Sequence, residues 1–129
     1  MINGVVNAHL ELTLRLTLRG PNGQVRRVNA VVDTGFNGSL TLPPALIAQL
    51  GLSWDRCGSA ILADGSESEF DIYAGVLVWD HRKRAVPIDE ADTTPLVGTA
   101  LLAEHALAAE FRPRGKVMIR LLGRPRHSR

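Results

Sequence analysis

The sequence contains one cysteine, Cys57, so no disulfide can form within the chain. Aromatic residues make up only 5% of it. A core must therefore be assembled mainly from Leu, Val, Ile and Ala. No apolar stretch approaches the ~18 residues that a membrane-spanning helix needs. The start, Met1-Ile2-Asn3-Gly4, lacks the charged and apolar regions of a secretory leader, so the expected location is cytoplasmic. His9, His81, His105 and His127 have no metal-ligand spacing between them, and Cys57 has no partner cysteine. Neither a metal nor another cofactor is expected.

What remains is 129 residues, 45% hydrophobic and 22% charged, enough for one globular domain. The expected domain is 1–122, followed by a basic tail over 123–129. The net charge of +2 conceals an asymmetry. Up to Glu110 there are 13 acidic and 8 basic residues, whereas Arg112–Arg129 has 7 basic residues and no acid. A basic end of this kind could serve a nucleic-acid arm. No aromatic side chain is interleaved with its arginines, so a stacking platform is not expected. A solvated tail is the commoner reading.

Leu10, Leu12, Leu14, Leu16 and Leu18 alternate with polar residues, which places them on one face of a strand. Gly20-Pro21-Asn22-Gly23 turns the chain, and Gln24–Val32 returns as a second strand. A short strand is expected at Ser39–Leu42. A helix is expected from Pro43-Pro44 to Leu50, with Gly51 at its C-cap. Strands at Ala60–Ala63 and Glu69–Trp79 flank the turn residues Asp64-Gly65-Ser66. Asp80–Arg84 is expected to be a charged turn, Ala85–Ile88 a short strand and Asp89–Thr94 a polar loop. A helix from Ala100 to about Glu110, capped by Thr99, and a strand at Lys116–Leu122 complete the chain. The expected class is mostly β: a small, closed, antiparallel barrel with one or two short helices.

Asp33-Thr34-Gly35 is the motif with chemical content. Alone it is weak, arising by chance in roughly one in forty chains of this length. Its setting strengthens it. Val31-Val32 bring the carboxylate to the end of an apolar strand, and Gly35 allows another chain or a substrate to approach the backbone closely. Val31-Val32-Asp33-Thr34-Gly35 resembles the catalytic loop of retropepsin-like aspartic peptidases. The longer run to Gly38, with Leu40-Thr41-Leu42-Pro43 after it, resembles their bacterial single-domain branch.

Two further segments extend the resemblance. Ala63-Asp64-Gly65-Ser66 resembles the flap hairpin, and Leu96-Val97-Gly98 resembles the element that packs beneath the catalytic loop. The resemblance implies an acid-protease barrel, Asp33 as the catalytic residue, and Thr34 and Gly35 as its support. It also implies a peptide or protein substrate. Phe36 stands where retroviral members carry a small residue, so the cleft floor or rim should differ. Thr99-Ala100 replaces an Arg-containing pair that often braces the retroviral dimer.

Metal-free peptide hydrolysis by this route needs two carboxylates sharing one proton. Only one Asp-Thr-Gly is present, since Asp92-Thr93-Thr94 lacks the glycine. A homodimer would supply the second Asp33 by twofold symmetry. The leading expectation is thus a dimeric aspartic endopeptidase. The alternative is a non-catalytic dimerisation or peptide-binding module on the same fold.

Overall fold

The computed structural model describes residues 1–123. The remainder of the expected basic tail, residues 124–129, lies outside them.

Strand β1 (Ile2–Val6) opens the chain and was not foreseen from the sequence. It turns at Asn7, whose side-chain oxygen accepts N–H bonds from His9 and Glu11 at 3.0 and 2.9 Å. Leu10 lies in this turn at φ 61°, half exposed. The expected face of five leucines therefore loses its first member. In β2 (Leu12–Arg19), Leu14, Leu16 and Leu18 are buried and the intervening residues are not. Each buried leucine contributes about 1.5–3 kcal/mol of hydrophobic stabilisation. β3 (Val25–Val32) pairs antiparallel with β2 from Thr13↔Val31 to Arg19↔Val25.

After a loop come β4 (Leu40–Leu42) and helix α1 (Pro44–Leu50). Pro44 suits the first turn, where its missing N–H has no partner to lose. The helix ends at Gly51, whose φ of 62° lets its N–H reach back to Ala48 O at 3.0 Å.

β5 (Ser53–Ile61) starts seven residues earlier than expected. It is an edge strand with almost no buried side chain, so it carries no hydrophobic alternation to reveal it. β6 (Glu67–Trp79) and β7 (Arg82–Glu90) form a long hairpin. Asp80 and His81 connect them, both at positive φ (49° and 69°). That is the conformation of a tight, twist-matched two-residue turn. The expected charged turn is thus confined to two residues, and Arg82–Arg84 belong to β7. Asp89 and Glu90 end the same strand, Asp89 between Ile72 and Thr41 and Glu90 opposite Leu42, and are not part of a loop.

β8 (Leu96–Val97) leads into α2 (Thr99–Leu102), a single turn. Gly98, not Thr99, occupies its cap position, and no side chain caps it. The expected helix to about Glu110 is otherwise replaced by β9 (His105–Ala109), which pairs antiparallel with β10 (Lys116–Leu121). Glu104 at φ 66° stops the helix, and its carbonyl accepts the Leu122 N–H at 2.8 Å. Here pairing with β10 overrides the helix preference of an alanine-rich stretch.

The strands form one sheet in the order β5-β6-β7-β4-β8-β3-β2-β1-β10-β9. An added β6–β2 pairing closes the six strands from β6 to β2 in that order into a barrel. Most ladders are antiparallel, but β3–β8 and β4–β7 run parallel. The core inside includes Leu14, Leu18, Leu40, Leu42, Leu77, Ile88, Val97 and Leu101. Trp79 joins it and donates its indole N–H to His105 Nε2 at 3.1 Å. Among the described residues no helix is long and apolar enough to cross a membrane.

Candidate active site

Asp33 follows the last residue of β3, where the barrel strand gives way to a loop. Its N–H donates to Val97 O at 2.9 Å, so the β3–β8 ladder fixes the backbone that carries the carboxylate. Asp33 Oδ1 accepts the Gly35 N–H at 2.9 Å, and Phe36 N–H donates to Asp33 O at 3.1 Å. The side chain is partly exposed. Among the described residues nothing donates to its Oδ2, and the exposed Thr34 hydroxyl makes no side-chain hydrogen bond.

The loop is fastened from beneath by the segment after Pro95. Val31 N–H donates to Pro95 O, Gly98 N–H to Ser39 O, Thr99 N–H to Phe36 O and Ala100 N–H to Gly38 O, at 2.9–3.1 Å. Leu96 pairs with Val31 and Val97 with Val32, while Val97 is fully buried. Gly98 permits this close approach. A Cβ there would lie 2.1 Å from Gly38 O and 2.6 Å from both Phe36 O and the Phe36 ring. Thr41 adds a buried side-chain link, since its hydroxyl accepts the Leu96 N–H at 2.9 Å.

The turn at Ala63-Asp64-Gly65-Ser66 joins β5 to β6 at an exposed tip. Leu62 N–H donates to Ser66 O, Gly65 N–H to Leu62 O, and Gly65 adopts φ 85°. This is a three-residue loop with a left-handed glycine rather than a two-residue turn. Asp64 Oδ1 accepts both the N–H and the hydroxyl of Ser66. Those two bonds hold its carboxyl below the usual carboxylate range.

The stem of this hairpin faces the Asp33 loop across a chamber of about 400 Å³. Phe36, Thr41, Ala60, Phe70 and Asp89 line it. The Phe36 ring lies against Gly38 and Gly98, where any added Cβ would meet it at 2.5–2.6 Å. Asp89 Oδ2 lies above Gly38 as well, 3.1 Å from the position of such a Cβ. Burial pushes the Asp89 carboxyl above its ordinary value, and the charge of Arg56 partly offsets this. Sequence reasoning missed Asp89 because it assigned the residue to a loop. The strand pattern Val86, Ile88, Glu90 on one side would have placed Asp89 on the other.

A larger groove of about 630 Å³ crosses the outside of β1, β2 and β3. Its one acid, Glu11, is engaged by the Asn7 amide at 2.9 Å. Among the described residues no three His, Cys, Asp or Glu side chains converge as a metal site. Trp54 is exposed on β5 and donates to Asp71 at 3.0 Å, which is rim packing.

No family model matches the chain, and no curated protein matches it. Among solved structures the chain is similar to the EIAV protease complexed with the inhibitor HBY-793. The TM-score is 0.52 at 16% identity, covering 71% of this chain and 85% of that one. The fold is therefore retropepsin-like, the architecture of an aspartic protease.

Proposed function

We propose that the chain is one half of a homodimeric aspartic endopeptidase, of the bacterial single-domain kind that its motifs resemble. One observation carries this reading. In a retropepsin-like barrel, Asp33 directly follows a barrel strand, with one carboxylate oxygen tied to Gly35 and the other unengaged by any described residue. An acid held this way is positioned, with one oxygen left free.

A second copy related by a twofold axis beside this loop would bring two Asp33 carboxyls together, holding one proton between them. The ionised member takes a proton from water, and the water oxygen bonds to the scissile carbonyl carbon. The protonated member gives its proton to the carbonyl oxygen, producing a tetrahedral diol. The carboxyl that took the water proton then gives it to the departing nitrogen as the carbon–nitrogen bond breaks. A diol hydroxyl returns its proton to the other carboxylate, and both products leave with one proton again shared by the pair. The pair titrates as a unit and not as two separate acids. The exposed Thr34 hydroxyl is available to bond across the axis. The β5–β6 hairpin closes over the substrate and excludes bulk water.

The test compares wild type with Asp33→Asn by peptide cleavage across pH 3–8 and by sedimentation. The expected result is an intact dimer whose activity falls by at least about 10³-fold. A wild-type protein that is dimeric but cleaves no peptide is instead a binding module on this fold. A monomeric wild type refutes the shared-proton mechanism altogether.

A further inference from the structure

The chamber beneath the β5–β6 hairpin combines features that the hydrolytic step does not require. Its walls are two aromatic side chains, Phe36 from the Asp33 loop and Phe70 from β6. Its other side carries Asp89, with Glu69 and Glu90 also contributing to the lining. No described group donates a hydrogen bond to the Asp89 carboxylate, although the residue is partly buried. One cation acts on it from the protein itself: Arg56, on the edge strand β5. The Arg56 guanidinium also pairs with Asp55 on its own strand, and it offsets the burial of Asp89 only in part.

We propose that this chamber is a subsite for a side chain with a long apolar stem and a cationic end, arginine or lysine. The inference rests on the peptidase reading for its position beside Asp33, but the recognition is a separate matter. A purely hydrocarbon occupant would bury the Asp89 carboxylate further with nothing to pair it, which is costly. An acidic occupant would meet the Asp89 carboxylate. An arginine lays its methylenes against Phe36 and Phe70, and its guanidinium answers Asp89. Glu69 and Glu90 add charge of the same sign at longer range. The volume of about 400 Å³ is within the range of pockets that hold small organic groups. Phe36 lies one turn from Asp33, through the Phe36 N–H to Asp33 O bond, so a residue seated here is close in sequence to the scissile bond.

The binding test does not depend on catalysis. Isotope-labelled full-length protein is titrated with N-acetyl-argininamide and, separately, with N-acetyl-norleucinamide, while the amides of Ala60, Phe70 and Asp89 are followed by NMR. The arginine probe is expected to bind these positions about tenfold more tightly, the increment of one charge-assisted contact. In Asp89→Asn that ratio falls to near one. Glu90→Gln, a second variant, lowers it about two- to threefold, as removal of a more distant charge should. Equal affinity of the two probes, or binding of neither at these amides, overturns the proposal.

A parallel digestion of a degenerate peptide library separates this inference from the one beneath it. Cleavage with no enrichment of Arg or Lys at any fixed position removes the subsite and leaves the peptidase. No cleavage, with the arginine probe still selected, removes the peptidase and leaves the cationic site.

Discussion

Gly98→Ala puts a methyl group where the protein has no space. The added carbon would sit 2.1 Å from Gly38 O, 2.6 Å from Phe36 O and 2.6 Å from the Phe36 ring. Two of those three neighbours are main chain, which cannot swing aside as a flexible side chain would. The loop and β8 must separate, which strains or breaks the Gly98 N–H to Ser39 O and Thr99 N–H to Phe36 O bonds. Overpacking costs about 1–3 kcal/mol, and each lost hydrogen bond adds about 1 kcal/mol. The sum, about 3–5 kcal/mol, is a large fraction of a typical folding free energy. It corresponds to a fall in Tm of roughly 10–20 °C for a domain this size.

Two other glycines calibrate the experiment. Gly23 has nothing within 4 Å of its missing Cβ but sits at φ 83°, so Gly23→Ala should cost about 1–2 kcal/mol from backbone strain alone. Gly123 has open space and no such constraint, and Gly123→Ala should be neutral. Thermal melts followed by circular dichroism, at one protein concentration, provide the ranking. A Gly98→Ala protein that melts within about 2 °C of wild type refutes the close-packed clasp.

Asp89 should make stability depend on pH. Its folded pKa is raised by burial, so the folded state holds a proton more tightly than the unfolded chain. Stability from this group is therefore greatest below about pH 4 and falls as pH rises through the raised folded value. Asp89→Asn removes that fall, so its Tm advantage over wild type should grow from pH 4 to pH 7; a constant difference would contradict the assignment. Asp64→Ala removes both bonds to Ser66, and amide exchange at Ser66 should accelerate while KM for peptide rises more than kcat falls. Because the Asp64 pKa is lowered, wild type should show the same loosening as pH drops below about 4. Trp79→Phe keeps a ring near His105 but loses the indole N–H bond, at a cost of about 1 kcal/mol, or roughly 3–5 °C in Tm.

The legible parts of the fold were those where burial imposes a period. Leu14, Leu16 and Leu18 face the core and announce β2, and the long apolar run in β6 announces itself in the same way. The edge strand β5 was hidden because Ser53–Ser59 lies on the surface on both faces, leaving nothing for periodicity to record. His105–Ala109 was misassigned because alanine and leucine favour a helix locally, while the deciding partner, β10, is distant in sequence. The positions of Asp33 and Gly98 followed from a motif and its spacing. Asp89 belongs to no motif, and the barrel brings its neighbours Phe36 and Phe70 to it from two other segments.

The bonds that hold the Asp33 loop to the segment after Pro95 run almost entirely between peptide groups. Such fastening is largely indifferent to which side chains its members carry, the glycines at 38 and 98 excepted. The exposed residue at 37, whose side chain takes no part in this fastening, can therefore be exchanged to alter the surroundings of the acid without displacing it. The scaffold separates the aim of the carboxylate from the identity of the side chains around it.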